Sequence, residues 1–464
     1  MLTIVGANVA ILTLLGAFVW HLRAKHGSFL QLGILFALNI ALDYPVRVLV
    51  LAFFPDGSMP SYPGLLYTGA LASLSLLQFL GIAAFCCGYL VVERRYKAHA
   101  ILSLASPGHA GFSFGLIAFA ELLSIAAKGY KIATGNYVSF LLNESTNYRL
   151  LNIIENIHML GWLSLAGVWL LWFRKEVRTP GQFIIFGIVN AVELSYQVIQ
   201  GSKTFMLLPP VIILAAYHYH HRRLPTVGII GTCLFAVLFV FPFVTTYRDT
   251  FGSAYAGIPS FSAFDPSATV RDTYMDTKGE HRTFGERILV GLSRFAGADE
   301  LYDMEAMVPG VIPYKHGHDL LAILYGPIPR AVWAAKPIIS PAAEYGEAMG
   351  TITSITPFPL GEMYWNAGGP GVGLGMCLWG ILLALLMRAF DLAMRWPHAR
   401  MYVVCIFLSQ LYWLTTGEAM LSMILASLPK QVALFAIVFG TFALVIRPKQ
   451  RRARPYLEGA EGER

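Results

Sequence analysis

Apolar runs of about 18 residues or more, each long enough to cross a bilayer as a helix, recur along almost the whole chain. They fall near 2–20, 29–54, 65–91, 109–127, 150–173, 181–200, 204–219, 224–246, 367–388, 401–416 and 427–446. This pattern predicts about 11 membrane-spanning helices (10–12, because the last two boundaries are poorly marked). One long stretch, residues 247–365, breaks it with polar and proline-rich sequence. The chain therefore divides into helices one to eight (1–246), a large insert (247–365), helices nine to eleven (366–446) and a basic tail (447–464). The expected fold is an all-α polytopic membrane protein carrying one large, mainly helical loop outside the bilayer.

Three of the predicted helices interrupt their apolar pattern in a regular way. The fourth carries Glu121, Ser124 and Lys128; the fifth Arg149, Asn152, Glu155 and Asn156; the sixth Glu193, Tyr196, Gln197 and Gln200. Spacings of three, four and seven put each set on one helix face. All three stripes lie in the half of the bundle nearer the insert. Polar groups at membrane depth are costly and face a bundle interior or an aqueous cavity. Two readings stay open: a cavity beneath the insert, or interhelical pairing that glues the helices together. Asp43 and Arg47, four residues apart, predict a private ion pair within the second helix.

Composition agrees with the pattern. The chain has 464 residues, 56% hydrophobic and 13% charged, with mean hydropathy +0.59, which excludes an ordinary soluble domain. The net charge of +7 is explained by where Lys and Arg fall. Alternate connections hold Arg23/Lys25, Arg94/Arg95/Lys97, Arg174/Lys175/Arg178, Arg222/Arg223 and Arg388/Arg395/Arg400, and the tail from Arg447 holds more. The opposite connections at 55–64 and 417–426 hold none. Basic connections stay inside, so the N-terminus is expected outside, the C-terminus inside and the insert outside. The positive charge then sets orientation and does not argue for nucleic-acid binding, and the tail serves as an anchor to anionic headgroups. The first helix lacks a basic leader and a small-residue cleavage site, so it is expected to be retained. All five cysteines lie in predicted helices, leaving the insert no disulfide framework or zinc spacing.

The insert holds nine Lys/Arg against fourteen Asp/Glu, ten prolines and many aromatics, which predicts a folded cap of short helices. Several cations are placed where a phosphate could be held: Arg248 after the eighth helix, Arg294, Arg330 and Lys336 on either side of Trp333, and Lys203 after Gly201-Ser202. Guanidinium forks bind phosphate oxygens bidentately and lysine supplies a point charge; surface salt bridges are the plainer reading. Pro329 and Pro337 restrict the backbone beside Arg330 and Lys336. Candidate bases are Glu362, His316, His318 and the group Asp299, Glu300, Asp303, Glu305. Glu362 could take a proton from a sugar hydroxyl or only hydrogen-bond to a sugar. His316-x-His318 is a weak metal signal, and Asp303-x-Glu305 offers oxygen ligands to a divalent ion; no metal or cofactor is expected. The run Gly368 to Gly373 is not a phosphate loop, because no strand precedes it. Close packing at a helix start is the better reading.

The layout and local motifs resemble the Wzy-type O-antigen and oligosaccharide repeat-unit polymerases of bacterial inner membranes. Pro329-Arg330 with Trp333 and Lys336-Pro337 is similar to that family's proline-arginine, tryptophan, lysine-proline motif. Gly361-Glu362 followed by Asn366 and Gly368 is similar to its glycine-glutamate element, and Gly201-Ser202-Lys203 to its small-plus-basic motif. The motifs cover roughly 200–375, with topology alone matching elsewhere. The resemblance implies a GT-C-like glycosyltransferase that polymerises undecaprenyl-pyrophosphate-linked oligosaccharides at the periplasmic face of the inner membrane. It implies Glu362 and Arg330 as catalytic residues, with Lys203, Arg248, Arg294, Arg330 and Lys336 on the pyrophosphate. Glu155, Glu193, Gln197, Trp333, Tyr364 and Trp365 would line the substrate. Lipids and a chain-length regulator protein are the implied partners. An O-antigen ligase-type transferase and a lipid-linked saccharide transporter are the alternatives; the chain lacks the paired repeats expected of the second.

Overall fold

The computed structural model describes residues 2–53, 68–95, 114–137, 148–252, 271, 295–326, 328, 333, 335–336, 341–350, 355–395, 400–417 and 419–451. Among these there is no β-strand. In chain order the helices are α1 (Leu2–His26), α2 (Leu32–Phe53), α3 (Thr68–Arg94), α4 (Phe114–Ala133), α5 (Tyr148–His158), α6 (Leu160–Phe173), α7 (Pro180–Gln200), α8 (Lys203–His221), α9 (Thr226–Phe235) and α10 (Phe241–Gly252). They continue with α11 (Gly297–Met307), α12 (Ala322–Tyr325), α13 (Pro341–Ala348), α14 (Phe358–Met394), α15 (Arg400–Thr415) and α16 (Leu421–Arg451).

In their described residues the predicted apolar segments are largely helical. Eight helices among the described residues are long and apolar enough to cross a membrane, so this is a polytopic helical membrane protein. Three helices fall short on those terms for visible reasons. α4 carries Glu121, Lys128 and Lys131, α8 is diluted by two prolines and its terminal histidines, and α15 has only 16 residues. α7 shows what faces the surroundings: Phe183, Ile184, Ile188 and Leu194 are exposed, as lipid contact requires. Its start is fixed by a capping box, Thr179 with Gln182, and by Pro180 in the first turn, where a missing N–H costs nothing.

Lipid supplies no hydrophobic drive between helices, so close approach depends on small residues. The α3–α14 pair shows this. A Cβ on Gly88 would stand 2.1 Å from the Cys377 carbonyl oxygen, and one on Gly380 would stand 2.2 Å from that of Phe85. α14 is itself broken at Ala367-Gly368, where Gly368 has φ +64° and ψ −151°, a region open to glycine. A Cβ on Gly371 would come within 2.3 Å of the Met363 carbonyl oxygen, so the glycine run packs closely, as expected.

α2 carries a π-helical turn, Leu42–Val46, around Pro45, which absorbs the hydrogen bond proline cannot make. This turn aims the buried Tyr44 hydroxyl at the Leu360 N–H, which donates to it at 3.2 Å. The described part of the insert is made of short helices. α11 packs on α14 and on the π turn of α2, and α12 packs on α16. One expectation is corrected here. Arg47 forks onto Asp299 of α11, Nε to Oδ1 at 3.1 Å and Nη2 to Oδ2 at 2.8 Å, both side chains fully buried. Its pairing is therefore not private to α2; it ties the insert to the membrane bundle. The sequence cannot show this because the partners lie 252 positions apart.

Candidate functional site

The acidic face of α11 sits where the insert meets the bundle. Asp299, Glu300 and Asp303 are all buried, which is unusual for carboxylates and needs compensation from neighbours. Asp299 takes Arg47. The hydroxyl of Tyr345, on α13, donates to Glu300 Oε2 at 2.7 Å and stands 3.4 Å from Asp303 Oδ2. Burial pushes the Glu300 carboxyl up to about 7, aided by the Asp299 charge and opposed by the Tyr345 hydrogen bond and by the cation of Lys203. A carboxyl with that value, in the field of a lysine, can exchange a proton near neutral pH.

Lys203 is placed by a backbone device. α7 ends on Gly201 in the left-handed conformation (φ +63°), the usual helix stop. A Cβ there would lie 2.2 Å from the ring of Tyr247, whose hydroxyl donates to the Ile199 carbonyl at 2.9 Å. The Gly201-Ser202-Lys203 motif is thus a tight turn that starts α8 with its lysine acting on Glu300.

Glu362 is fully buried, and its carboxylate accepts the N–H of Leu421 at 2.5 Å and of Ser422 at 3.1 Å. It caps the N-terminus of α16, where unsatisfied N–H groups and the helix dipole favour an anion. Trp365 donates from Nε1 to the Pro313 carbonyl at 3.1 Å, is almost fully buried, and carries the Lys315 ammonium 4.5 Å over its ring. Tyr364 is half-buried against the hydrophobic core. Lys336 closes its own loop by donating to the Gly326 and Ile328 carbonyls at 3.0 Å each. Trp333 is 37% exposed and meets Tyr325 edge to face. Arg248 lies on α10, but its side chain, together with Arg294 and Arg330, is outside the described residues. Of the acidic metal candidates, Asp303 faces Tyr345 and Glu305 accepts from Ser73. No group of three or more His, Cys, Asp or Glu among the described residues is placed to hold a metal ion.

The polar stripes do converge. Lys128 pairs with Glu193, and Gln197 donates from Nε2 to Glu193 Oε2 at 3.5 Å. Lys131 pairs with Glu155 at 2.5 Å, and His158 Nδ1 stands 3.2 Å from the other Glu155 oxygen. Ser124 donates to the His158 carbonyl at 2.7 Å, and Lys128 lies 5.3 Å over the Tyr196 ring. Gly161 of α6 makes room for this: a Cβ there would be 1.9 Å from Glu193 Oε1. For Lys128, Glu193, Lys131 and Glu155 the interhelical-pairing reading therefore describes what they do. The side chains of Arg149 and Asn152 are outside the described residues. Lys131 and His158 were missed, although each continues a stripe by three positions. Tyr345 carried no sequence signal at all. No family model, curated protein or solved structure matches the chain.

Proposed function

We propose that this protein transfers glycosyl units from a polyprenyl-pyrophosphate carrier to a carrier-linked acceptor, as the Wzy-type polymerases it resembles do. The observation that carries the reading is the buried Glu300 carboxyl, pushed up to about 7 and within electrostatic reach of Lys203, where the insert docks on the membrane helices. A polytopic bundle suits substrates that are themselves lipid-anchored. In this reading the bundle is GT-C-like with eleven spans and sits in a bacterial inner membrane. The N-terminus and the insert are periplasmic and the C-terminus is cytoplasmic, as the basic connections favour.

Glu300 takes the proton of the acceptor hydroxyl as that oxygen bonds to the donor anomeric carbon. The carbon–oxygen bond to pyrophosphate breaks, and its electron pair leaves on the pyrophosphate. Lys203 neutralises the developing charge, since a fixed cation acts on charge formed in the transition state; Arg248, Arg294 and Arg330 are the further cations the resemblance implies for the pyrophosphate. Glu300 is preferred to Glu362 as base because both Glu362 oxygens are bound by the α16 backbone. Trp333, partly exposed on the loop held by Lys336, is available for sugar stacking.

The test is purified protein in proteoliposomes with a polyprenyl-pyrophosphate oligosaccharide. A ladder of longer carrier-linked glycans is expected; transfer only to a lipid A-core acceptor identifies a ligase, and movement without new glycosidic bonds a transporter. Glu300→Gln should slow polymerisation at least about a hundredfold, the usual contribution of a general base. Arg330→Ala should slow it at least about tenfold, the loss of one charge-assisted hydrogen bond. Wild-type rates in both inserted variants would refute this site.

A further inference from the structure

Glu121 has no role in the reaction above, and its surroundings are hard to explain as helix glue. It is 3% exposed, and its carboxyl oxygens have no hydrogen-bond partner in good geometry; the nearby Ser164 hydroxyl is directed to the Ile117 and Leu160 carbonyls. Its neighbour is a second carboxyl: Glu193, across the α4–α7 contact, lies within hydrogen-bonding reach of it. Two ionised carboxylates have no donor between them and repel. Glu193 already holds its cation, Lys128, and a third carboxylate, Glu155, holds Lys131. Among the described residues three carboxylates therefore face two ammonium groups, and one negative charge remains where membrane burial penalises it most. Gln197 donates to Glu193 from its nitrogen, while its own Oε1 is buried without a partner.

We propose that Glu121 and Glu193 form a proton-binding site inside the membrane bundle, with one proton shared between the two carboxyls. The facing groups are Ser124, Lys128 and Lys131 of α4, Glu155 and His158 of α5, Ser164 of α6, and Tyr196, Gln197 and Gln200 of α7. One proton turns the carboxyl contact from repulsion into a hydrogen bond and balances the charge. A metal cation of the same charge is the less fitting occupant, because the Lys128 ammonium already occupies the Glu193 face. Proton loss leaves two like charges between α4 and α7, so occupancy bears on how tightly these helices pack.

Infrared difference spectroscopy on the full chain in detergent or lipid tests this without any glycan substrate. At neutral pH the wild type should show the carbonyl stretch of a protonated carboxyl that shifts in D2O and disappears as the pH is raised. Glu121→Gln should abolish the band, and Glu121→Asp, which keeps the carboxyl if the first variant does not fold, should move it. A spectrum with no such band, or one unchanged in both variants, overturns the proposal. So does a melting temperature that rises with sodium at fixed pH in the wild type but not in Glu121→Gln, because that would mark a metal-ion site.

Discussion

Glu362, which the sequence marked for chemistry, and Gly201, which precedes the candidate Lys203, both have structural duties, which separates structural from catalytic expectations. Glu362 caps α16 through two N–H groups. Glu362→Gln should therefore lower stability by about 1 kcal/mol, the usual worth of a helix cap, read as a reduced melting temperature. Polymerisation per folded molecule should be nearly kept; its collapse at unchanged stability would return the base role to Glu362. Gly201 is under two constraints, a positive φ and the Tyr247 ring. Gly201→Ala should cost more than about 1 kcal/mol, and the loss should shrink in the Tyr247→Ala background. A neutral Gly201→Ala would mean the turn is not as described. Neither constraint can be read from local sequence, since Leu421 lies far from Glu362 and Tyr247 far from Gly201.

Between elements, the Arg47–Asp299 fork is the clearest tie of insert to bundle. Removing one partner of a buried pair leaves an uncompensated charge. Arg47→Met should therefore destabilise by about 3–5 kcal/mol, while Arg47→Met with Asp299→Leu should cost less than the single change. Thermal unfolding of the three variants checks the order. An additive double mutant would show that the two residues do not act as a pair. The polar stripes were legible as helix faces because their spacing is a local property. Which stripe would meet which was not legible, because that depends on how α4, α5 and α7 pack.

For the molecule as a whole, Glu300 sets an expected pH dependence. Only its deprotonated form accepts a proton, so polymerisation should rise as pH passes upward through about 7, and pH–rate profiles of the reconstituted protein report this directly. Stability runs the other way. The folded value stands above the unfolded one of about 4.3, so the folded state keeps a proton that the unfolded chain gives up. The stability this contributes at low pH is lost as pH rises from the unfolded value toward about 7. Glu300→Gln should flatten that slope; an unchanged slope would assign it to another group.

The sequence by itself determined that the chain is a set of apolar helices interrupted by one long polar stretch. Length, hydropathy and helical spacing are local, and lipid leaves the backbone almost no alternative to helix. Only the tertiary structure decided that Arg47 serves Asp299, that Glu362 serves α16, and that Glu300 stands with Lys203 and Tyr345. These are contacts between positions distant in the chain. A carboxylate has the same local signature whether it caps a helix, fills an ion pair or waits for a proton, and burial and neighbours separate those roles.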